Sequence, residues 1–189
     1  LFEARKKKPQ PMKDDKILTD WNGLMIASLA YGGQILNEIK YTDHAERAAY
    51  FIYKNLRKKN GRLLKSFRNE CADISPHFDD YAYMIFGLLN LYESTFKVFY
   101  LSWSLELAKI MEVDFFDESG GFFIGSKDSE KLMVRAKSGY DSAMPSGNSV
   151  AITNFFRLGE ITGDTRWITI SKKSLASFSE QAKNTPTGF

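Results

Sequence analysis

Apolar positions divide the chain into three pairs of predicted helices, and the two helices of a pair differ in how their apolar residues are distributed. In the first helix of each pair, apolar residues occupy nearly every side, as in 24–36, 81–92 and 150–161. In the second helix they recur every three or four residues and form one stripe. A helix that is apolar all round is buried on every side, whereas a striped helix faces water on one side. The pattern therefore predicts inner helices, each followed by an outer helix.

Helix-start signals place the boundaries of these pairs. The first inner helix is predicted to begin at Thr19 or Asp20, either of which can cap, and its outer helix at Asp43, where Glu46 follows as in a capping box. The second pair begins at Asp79, with an outer helix over about 97–111 that buries Leu101, Leu105 and Ala108. The third begins near Ser146, and 163–165 separates its two helices. The predicted hairpins span about 19–58, 79–112 and 146–182.

The links between the pairs carry strand signals. Residues 61–68 alternate between apolar and polar side chains, and 115–123 resembles a hairpin with a Gly-Gly turn. The inner-helix starts at Asp20, Asp79 and Pro145 are 59 and 66 residues apart. A repeat of that length, built of helical hairpins, indicates a closed or stacked helical array. Small sheets are expected over the end where the inner helices begin.

Composition narrows the possible partners of the chain. Residues 1–18 carry a basic run at 5–8 followed by prolines and are interpreted as a solvated linker; a nucleic-acid contact there is the weaker alternative. No stretch is long and apolar enough for a membrane span, and no signal-peptide pattern is present. The single Cys71 rules out an internal disulfide and suits a reducing, cytoplasmic location. We expect no metal and no cofactor, since no zinc-type spacing, EF-hand loop or phosphate-binding glycine loop occurs.

Four ordered motifs, at 14–24, 79–82, 120–123 and 145–149, resemble the spermatogenesis-associated, thioredoxin-domain-containing family. The resemblance extends over essentially the whole chain. It implies a six-hairpin helical toroid, the (α/α)6 barrel, similar to those of glucosamine and cellobiose 2-epimerases and of six-hairpin glycosidases. It also implies a thioredoxin-like domain elsewhere in the complete protein. The expected fold is therefore all-α: a partial (α/α)6 toroid over 19–189 with about three helical hairpins and small β-hairpins between the helix pairs.

Toroid geometry places the inner-helix starts around one mouth of a cavity. The residues expected to line it are Asp79, Asp80 and Asp141 as catalytic candidates, and Trp21, Asn22, Tyr81, Ser146 and Asn148 as substrate-binding candidates. Paired carboxylates serve glycoside hydrolysis, and acid/base groups beside a carbonyl serve epimerisation. Aromatic rings stack on the apolar face of a sugar.

Each of these residues also has a purely structural interpretation. One carboxylate of the pair at 79–80 can cap the helix while the other pairs with Arg62, Arg68 or Arg135. The aromatic residues can pack at helix starts, Asp141 can form a turn, and Ser146 with Asn148 can cap. His44 is expected in solvent and His77 in a loop. The epimerases that the fold resembles use cavity histidines, and none lies on an inner helix here.

The leading functional hypothesis is a carbohydrate-active enzyme that binds a sugar or sugar derivative. In it, Asp80 is the acid or base, Asp79 or Asp141 is its counterpart, and Trp21 and Tyr81 form the stacking platform. The rival hypothesis is a non-catalytic binding or scaffold domain serving the thioredoxin-like domain. The resemblance makes the chain an internal fragment, so its terminal hairpins are expected to expose apolar flanks and to favour self-association.

Overall fold

A computed structural model describes residues 1–128 and 134–188. The segment 129–133 and Phe189, the last residue of the expected 19–189 domain, lie outside the described residues. The elements, in chain order, are α1 (Phe2–Lys6), β1 (Ile17–Leu18), α2 (Thr19–Leu36), α3 (Ile39–Asn55), β2 (Ser66–Phe67), α4 (Phe78–Thr95), α5 (Val98–Phe115), α6 (Gly147–Thr162), α7 (Thr165–Asn184) and a 3₁₀ turn (Pro186–Gly188). The predicted all-α class, with small β elements between helix pairs, is confirmed.

The helices form two layers, because α4 packs against both α2 and α6 while α3, α5 and α7 pack behind their hairpin partners. The inner helices α2, α4 and α6 run parallel. Near their starts, the backbone N–H of Asp20 donates to Asp80 Oδ1 (3.2 Å); further along, Ser94 Oγ donates to the carbonyl of Ala30 (3.0 Å). Asn154 Nδ2 in α6 donates to the carbonyl of Ala82 in α4 (2.7 Å). The three inner-helix starts therefore lie together at one end.

Two glycines allow α2 and α4 to approach closely. A Cβ on Gly23 would lie 2.5 Å from the carbonyl carbon of Tyr83, and a Cβ on Gly87 would lie 2.6 Å from the carbonyl oxygen of Gly23. Any other residue at either position would push the two backbones apart. Around this contact the core is closed by large buried side chains from both layers, including Tyr81, Phe115, Phe122, Phe155 and Trp167.

The end of the molecule opposite the inner-helix starts is closed by short connections. Asn37 (φ 52°), Phe96 (φ 54°) and Gly163 (φ 74°) each end an inner helix in the left-handed conformation. The next helix begins two residues later, at Ile39, Val98 and Thr165. A left-handed residue at this position is a common way to stop a helix and turn the chain back. The predicted break at 163–165 is confirmed, since Asp164 Oδ1 also accepts a hydrogen bond from the backbone N–H of Arg166 (3.0 Å).

Three predicted details of the helices are wrong. The outer helix α3 begins at Ile39 and not at Asp43, because the turn at Asn37 restarts the chain at once. Thr19 does not cap α2, since its hydroxyl donates to the carbonyl of Leu64 (2.6 Å). The buried stripe of α5 is rotated from the predicted one: Leu101 and Leu105 are only partly buried, while Tyr100, Trp103, Leu107, Ala108 and Met111 are buried.

The small β elements lie at the end where the inner helices begin, as expected. Strand β2 pairs antiparallel with β1, with Ile17 opposite Phe67 and Leu18 opposite Ser66. The partner of β2 thus comes from the last two residues of the proposed linker. The Gly-Gly hairpin is present as a single antiparallel bridge between Phe116 and Phe122, with Gly120 (φ 102°) and Gly121 (φ 80°) in its turn. In the part of the chain that the structure describes, no helix is long and apolar enough to cross a membrane.

Gly23→Ala is expected to lower the free energy of unfolding by about 1–3 kcal/mol, because the new methyl group overlaps the backbone of α4. The matched control is Gly32→Ala on the same helix, where a Cβ meets nothing within 4 Å. That substitution is expected to be neutral or to stabilise by up to about 1 kcal/mol through helix propensity. Urea unfolding of both variants measures the difference, and equal effects would contradict the proposed α2–α4 contact.

Candidate functional site

Asp80, the second member of the aspartate pair, is built into the fold. Its side chain is 0% exposed. Oδ2 accepts a hydrogen bond from the backbone N–H of His77 (2.8 Å), and Oδ1 accepts one from the backbone N–H of Asp20 (3.2 Å). Lys65 Nζ lies 3.4 Å from Oδ1. Burial raises the pKa of Asp80 to about 7, although Lys65 and the His77 N–H act in the opposite direction. Asp80 therefore ties the starts of α2 and α4 together.

Lys65 is the cation of this cluster, and sequence reasoning missed it. It precedes β2 directly, and its carbonyl accepts the backbone N–H of Thr19 (3.0 Å), so the small sheet holds it over the inner-helix starts. Its Nζ lies 2.6 Å from Asp20 Oδ2. Burial lowers the pKa of Lys65, but the neighbouring Asp80 and Asp20 outweigh it, so the net direction is upward. Lys65 thus remains charged and bridges two buried carboxylates.

The predicted arginine partner of the aspartate pair is wrong. Arg62 binds Asp114 and Asp128 (2.8 Å each), and Arg68 binds Asp15 (2.6 Å). Arg135 donates to the carbonyl of Gly125 (2.7 Å). All three lie in connecting segments; Arg62 joins its segment to α5 through Asp114, and among the described residues none of the three bonds to Asp79 or Asp80. The only sequence signal for Lys65 was its place in a strand expected above the helix starts.

Asp79 has a different environment from its neighbour. It is half-buried, and within the described residues its carboxyl group makes no hydrogen bond or ion pair. It lies in a polar cleft of about 150 Å³ between α4 and the segment leading into α6. The other residues lining the cleft include Tyr83, Ser138, Ser142, Ser146 and Gly147. A Cβ on Gly147 would overlap Asp79 Oδ1, so a glycine is needed where α6 begins.

Burial sets the proton affinity of Asp79. It raises the pKa to about 6; Lys65 lowers it and Asp20 raises it by smaller amounts. A carboxyl group with such a pKa exchanges a proton near neutral pH, which is the property a general acid or base needs. His77, one residue before α4, has a pKa lowered by burial and then by Lys65, so its imidazole is neutral at pH 7.

The remaining predicted residues divide into exposed and structural ones. Trp21 is 60% exposed at the start of α2, and Asn22 beside it donates to the carbonyl of Leu18 (2.8 Å). Tyr81 is 1% exposed; its hydroxyl accepts the backbone N–H of Leu63 (3.1 Å) and its ring packs on Phe115. In this conformation Tyr81 offers no ring face to a ligand, and the stacking role predicted for it has no support from its position.

Three further predicted residues, Asp141, Ser146 and Asn148, lie at or just before the start of α6. Asp141 Oδ1 accepts the backbone N–H of Ser146 (2.7 Å), and the Ser146 hydroxyl accepts the backbone N–H of Asn148 (3.2 Å) as the helix cap. Asn148 is 0% exposed and exchanges hydrogen bonds with both backbone groups of Phe122 (2.8 and 3.1 Å). Asn148 therefore fastens the Gly-Gly turn region to α6, while Ser146 and the segment after Asp141 border the cleft of Asp79.

Tyr83 also lines the cleft, and it was not predicted from the sequence. Its hydroxyl donates to the carbonyl of Pro145 (2.6 Å), which joins α4 to the segment that leads into α6. His44 lies on the surface of α3 with Nδ1 near the carbonyl of Lys40, and Cys71 is an exposed thiol. Among the described residues, no group of three or more His, Cys, Asp or Glu side chains could hold a metal ion.

Asp80→Ala is expected to destabilise the protein by about 3–5 kcal/mol, because two backbone N–H groups lose their buried acceptor and Lys65 loses one of its two carboxylate partners. Asp79→Ala is the matched control, since the neighbouring carboxyl group has no bond to lose. Urea midpoints of the two variants give the comparison. A larger loss for Asp79→Ala than for Asp80→Ala would contradict the assignment of their environments.

Asp79→Asn is expected to raise the melting temperature near pH 8 and to leave it unchanged near pH 3. The folded-state pKa of about 6 lies above the ordinary value of 3.8, so ionisation opposes folding. The contribution of protonated Asp79 to wild-type stability is therefore fully present below pH 3.8 and is lost as the pH rises through about 6. The difference in melting temperature between Asp79→Asn and the wild type should appear as the pH rises from 3.8 to about 6. A difference that does not change with pH would contradict the burial of Asp79.

Comparison with known proteins gives both relatives and structural neighbours, although no family model matches the chain. The chain is 32% identical over 197 residues to human spermatogenesis-associated protein 20, a match that covers 98% of the chain and 25% of the relative. It is 34% identical over 194 residues to an uncharacterized protein of Caenorhabditis elegans, covering 98% of the chain and 26% of that protein. The chain thus spans about a quarter of the length of the curated relatives it matches.

Several of the solved structures that it resembles are mannanases or a sugar epimerase. An α-mannanase of Bacteroides thetaiotaomicron has a TM-score of 0.71 at 17% identity, with 90% of this chain and 47% of that one covered. An inactive α-1,6-mannanase of Salegentibacter in complex with α-1,6-mannotriose has a TM-score of 0.69 at 15% identity, with coverages of 93% and 49%. The cellobiose 2-epimerase of Spirochaeta thermophila has a TM-score of 0.69 at 14% identity, with coverages of 86% and 43%.

At these identities the likeness to solved structures shows the fold alone: helical hairpins arranged as in about half of an α/α toroid. The relatives show descent, because their identity extends over nearly the whole chain. The chain is therefore a homologue of the spermatogenesis-associated protein 20 proteins, matching about a quarter of their length.

Proposed function

We propose that the inner-helix starts form a sugar-binding site in which Asp79 transfers a proton during glycoside hydrolysis. One observation carries this proposal: Asp79 is a half-buried carboxyl group without a partner among the described residues, in a polar cleft, with a pKa of about 6. A carboxyl group held this way costs stability, which is common for groups kept for catalysis.

The assignment of roles follows from the hydrogen bonds. Asp80 is enclosed and bonded, so it positions the helix start and does not meet the substrate. Asp141 keeps one oxygen without a partner in the described residues, since both of its hydrogen bonds go to Oδ1. Glycosidases use two carboxyl groups, one as acid and one as base or nucleophile. Asp79 is therefore the proposed acid and Asp141 its counterpart, a revision of the role first expected for Asp80.

Trp21 and Asn22 supply the proposed binding platform. The indole of Trp21 is largely exposed at the same end of the molecule as Asp79, and an exposed aromatic face can cover the apolar side of a pyranose. Of the originally expected platform residues, Tyr81 is not kept, because its ring is buried. Tyr83 borders the cleft but is only 2% exposed, so it shapes the cleft wall and adds no ring face for stacking. Ser142 and Ser146 add hydroxyl groups that could bind sugar hydroxyls.

The structural neighbours support hydrolysis as the reaction type. In the Salegentibacter mannanase bound to mannotriose, two consecutive aspartates were replaced by asparagine in the inactive variant. This chain carries two consecutive aspartates, Asp79 and Asp80, at the start of an inner helix. Epimerisation is favoured less, because the described inner helices carry no histidine and His77 precedes α4.

A scaffold role beside a thioredoxin-like domain is the second candidate. It is favoured by the number of carboxylates already engaged: Asp20, Asp80 and Asp141 all accept hydrogen bonds from the protein. This role predicts ligand binding without turnover. A cytoplasmic location is proposed with either function, and the exposed thiol of Cys71 agrees with a reducing compartment.

Self-association is proposed from the exposed flank of α2. Met25 and Ile35 are more than half exposed along one side of this helix. An unpartnered apolar stripe of this kind is a surface on which a further hairpin or a second copy could pack.

Asp79→Asn in the full-length protein is expected to reduce the turnover of α-linked mannooligosaccharides by about 10²–10⁴-fold, because proton transfer is lost while the shape of the site is kept. Product release, measured by chromatography, gives the rate, and calorimetry gives the affinity, which should change by only a few-fold. The control is Asp73→Asn, an exposed aspartate in the segment before α4.

Full turnover by Asp79→Asn would rule out the proposed role of this residue. Binding by the wild type without any product would shift the assignment to the scaffold function. Absence of both binding and turnover across neutral di- and trisaccharides would remove the carbohydrate proposal.

A further inference from the structure

Resting on the proposed function, we propose that the cleft at Asp79 selects uncharged or amino-bearing sugars and rejects uronates and sugar phosphates. Two features of the described residues carry this inference: the prior occupation of the inner-helix starts by the protein's own carboxylates, and the balance of charge around the cleft.

Helix N-termini ordinarily attract anions, and three of them meet at this mouth. Each one already holds a carboxylate of this chain. Asp20 accepts the backbone N–H of Trp21 in α2 (2.8 Å), Asp80 accepts that of His77 at the start of α4 (2.8 Å), and Asp141 accepts that of Ser146 at the start of α6 (2.7 Å). The protein's own carboxylates thus largely offset the positive potential of these helix N-termini. An anionic ligand would meet a carboxylate at each of the three helix starts.

Cations near the cleft are also engaged. Lys65 bridges Asp20 and Asp80. Lys137, which neighbours the cleft-lining Ser138, binds Asp117 (2.6 Å) and the carbonyl of Gly120 (2.9 Å). His77 is neutral at pH 7, because burial and Lys65 lower its pKa.

Among the described residues, the groups named above at the inner-helix starts, together with Asp79, amount to four carboxyl groups and one ammonium group. The carboxyl groups are those of Asp20, Asp79, Asp80 and Asp141, and the ammonium group is that of Lys65. Asp79 borders the cleft, and in the part of the chain that the structure describes no cation forms an ion pair with it. A ligand ammonium group could pair with this carboxylate, a neutral hydroxyl could donate to it, and a ligand carboxylate or phosphate would be repelled.

Binding of matched ligands tests the inference. The methyl α-glycosides of mannose, mannosamine and mannuronate differ in charge and little in shape. Isothermal titration of the full-length protein at pH 7 is expected to rank the mannosamine glycoside equal to or tighter than the mannose glycoside. The mannuronate glycoside should bind about tenfold or more weakly, since like charges a few ångströms apart in a partly exposed site cost about that much.

Asp79→Asn supplies the variant test. It should reduce the ratio of the affinities for the mannose and mannuronate glycosides several-fold. The exposed control Asp73→Asn should leave this ratio unchanged. A higher salt concentration should also reduce this affinity ratio for the wild type, because salt screens the repulsion between the two negative charges.

The outcomes separate this inference from the function on which it rests. Binding of mannuronate as tight as that of mannose would overturn the charge selectivity and leave the sugar site standing. Selectivity that survives unchanged in Asp79→Asn would overturn the assignment of its source to this cleft. Failure of all three glycosides to bind would overturn the inference together with the proposed sugar site.

Discussion

The close contact between α2 and α4 is the constraint on which the rest of this molecule depends. Gly23 and Gly87 remove the side chains that would hold the helices apart, so the backbone N–H of Asp20 reaches the carboxylate of Asp80. Lys65 then joins both aspartates from the small sheet above. Apolar packing alone would tolerate a small slide of one helix along the other. The buried polar cluster does not, because a slide would leave charged groups without partners.

Helix geometry explains why two adjacent, chemically identical residues have opposite roles. Consecutive residues in an α-helix point about 100° apart, since a turn holds 3.6 residues. Asp80 therefore points into the packed interface with α2, while Asp79 points toward α6 and the cleft. The bonds made by Asp80 fix the first turn of α4, and the first turn fixes the position of Asp79. One aspartate supports the helix start so that the other can remain unbonded.

The sequence predicted the architecture better than it predicted the site. Apolar distribution identified the hairpins, and the polar residues at 20–22, 79–81 and 146–148 were correctly grouped at the inner-helix starts. Local patterns failed where a contact is distant along the chain. Lys65 and Asp20 are 45 residues apart, and Tyr83 and Pro145 are 62 apart, so no spacing rule connects them. Tyr81 was misjudged for the same reason, because its burial depends on Phe115 in another helix.

The two ends of the molecule differ in how much they can change. Left-handed residues at Asn37, Phe96 and Gly163 turn each inner helix into its outer partner within two residues, and such tight turns leave no room for extra chain. The connections at the opposite end, 56–77 and 116–146, are long, and Ile124, Ser138 and Ser142 in the described part of the second one line the cleft. Insertions and deletions are therefore tolerated more readily in the long connections than at the tight turns. Divergence among homologues would then alter what the site accepts and leave the helical frame intact, so that one scaffold can acquire many specificities.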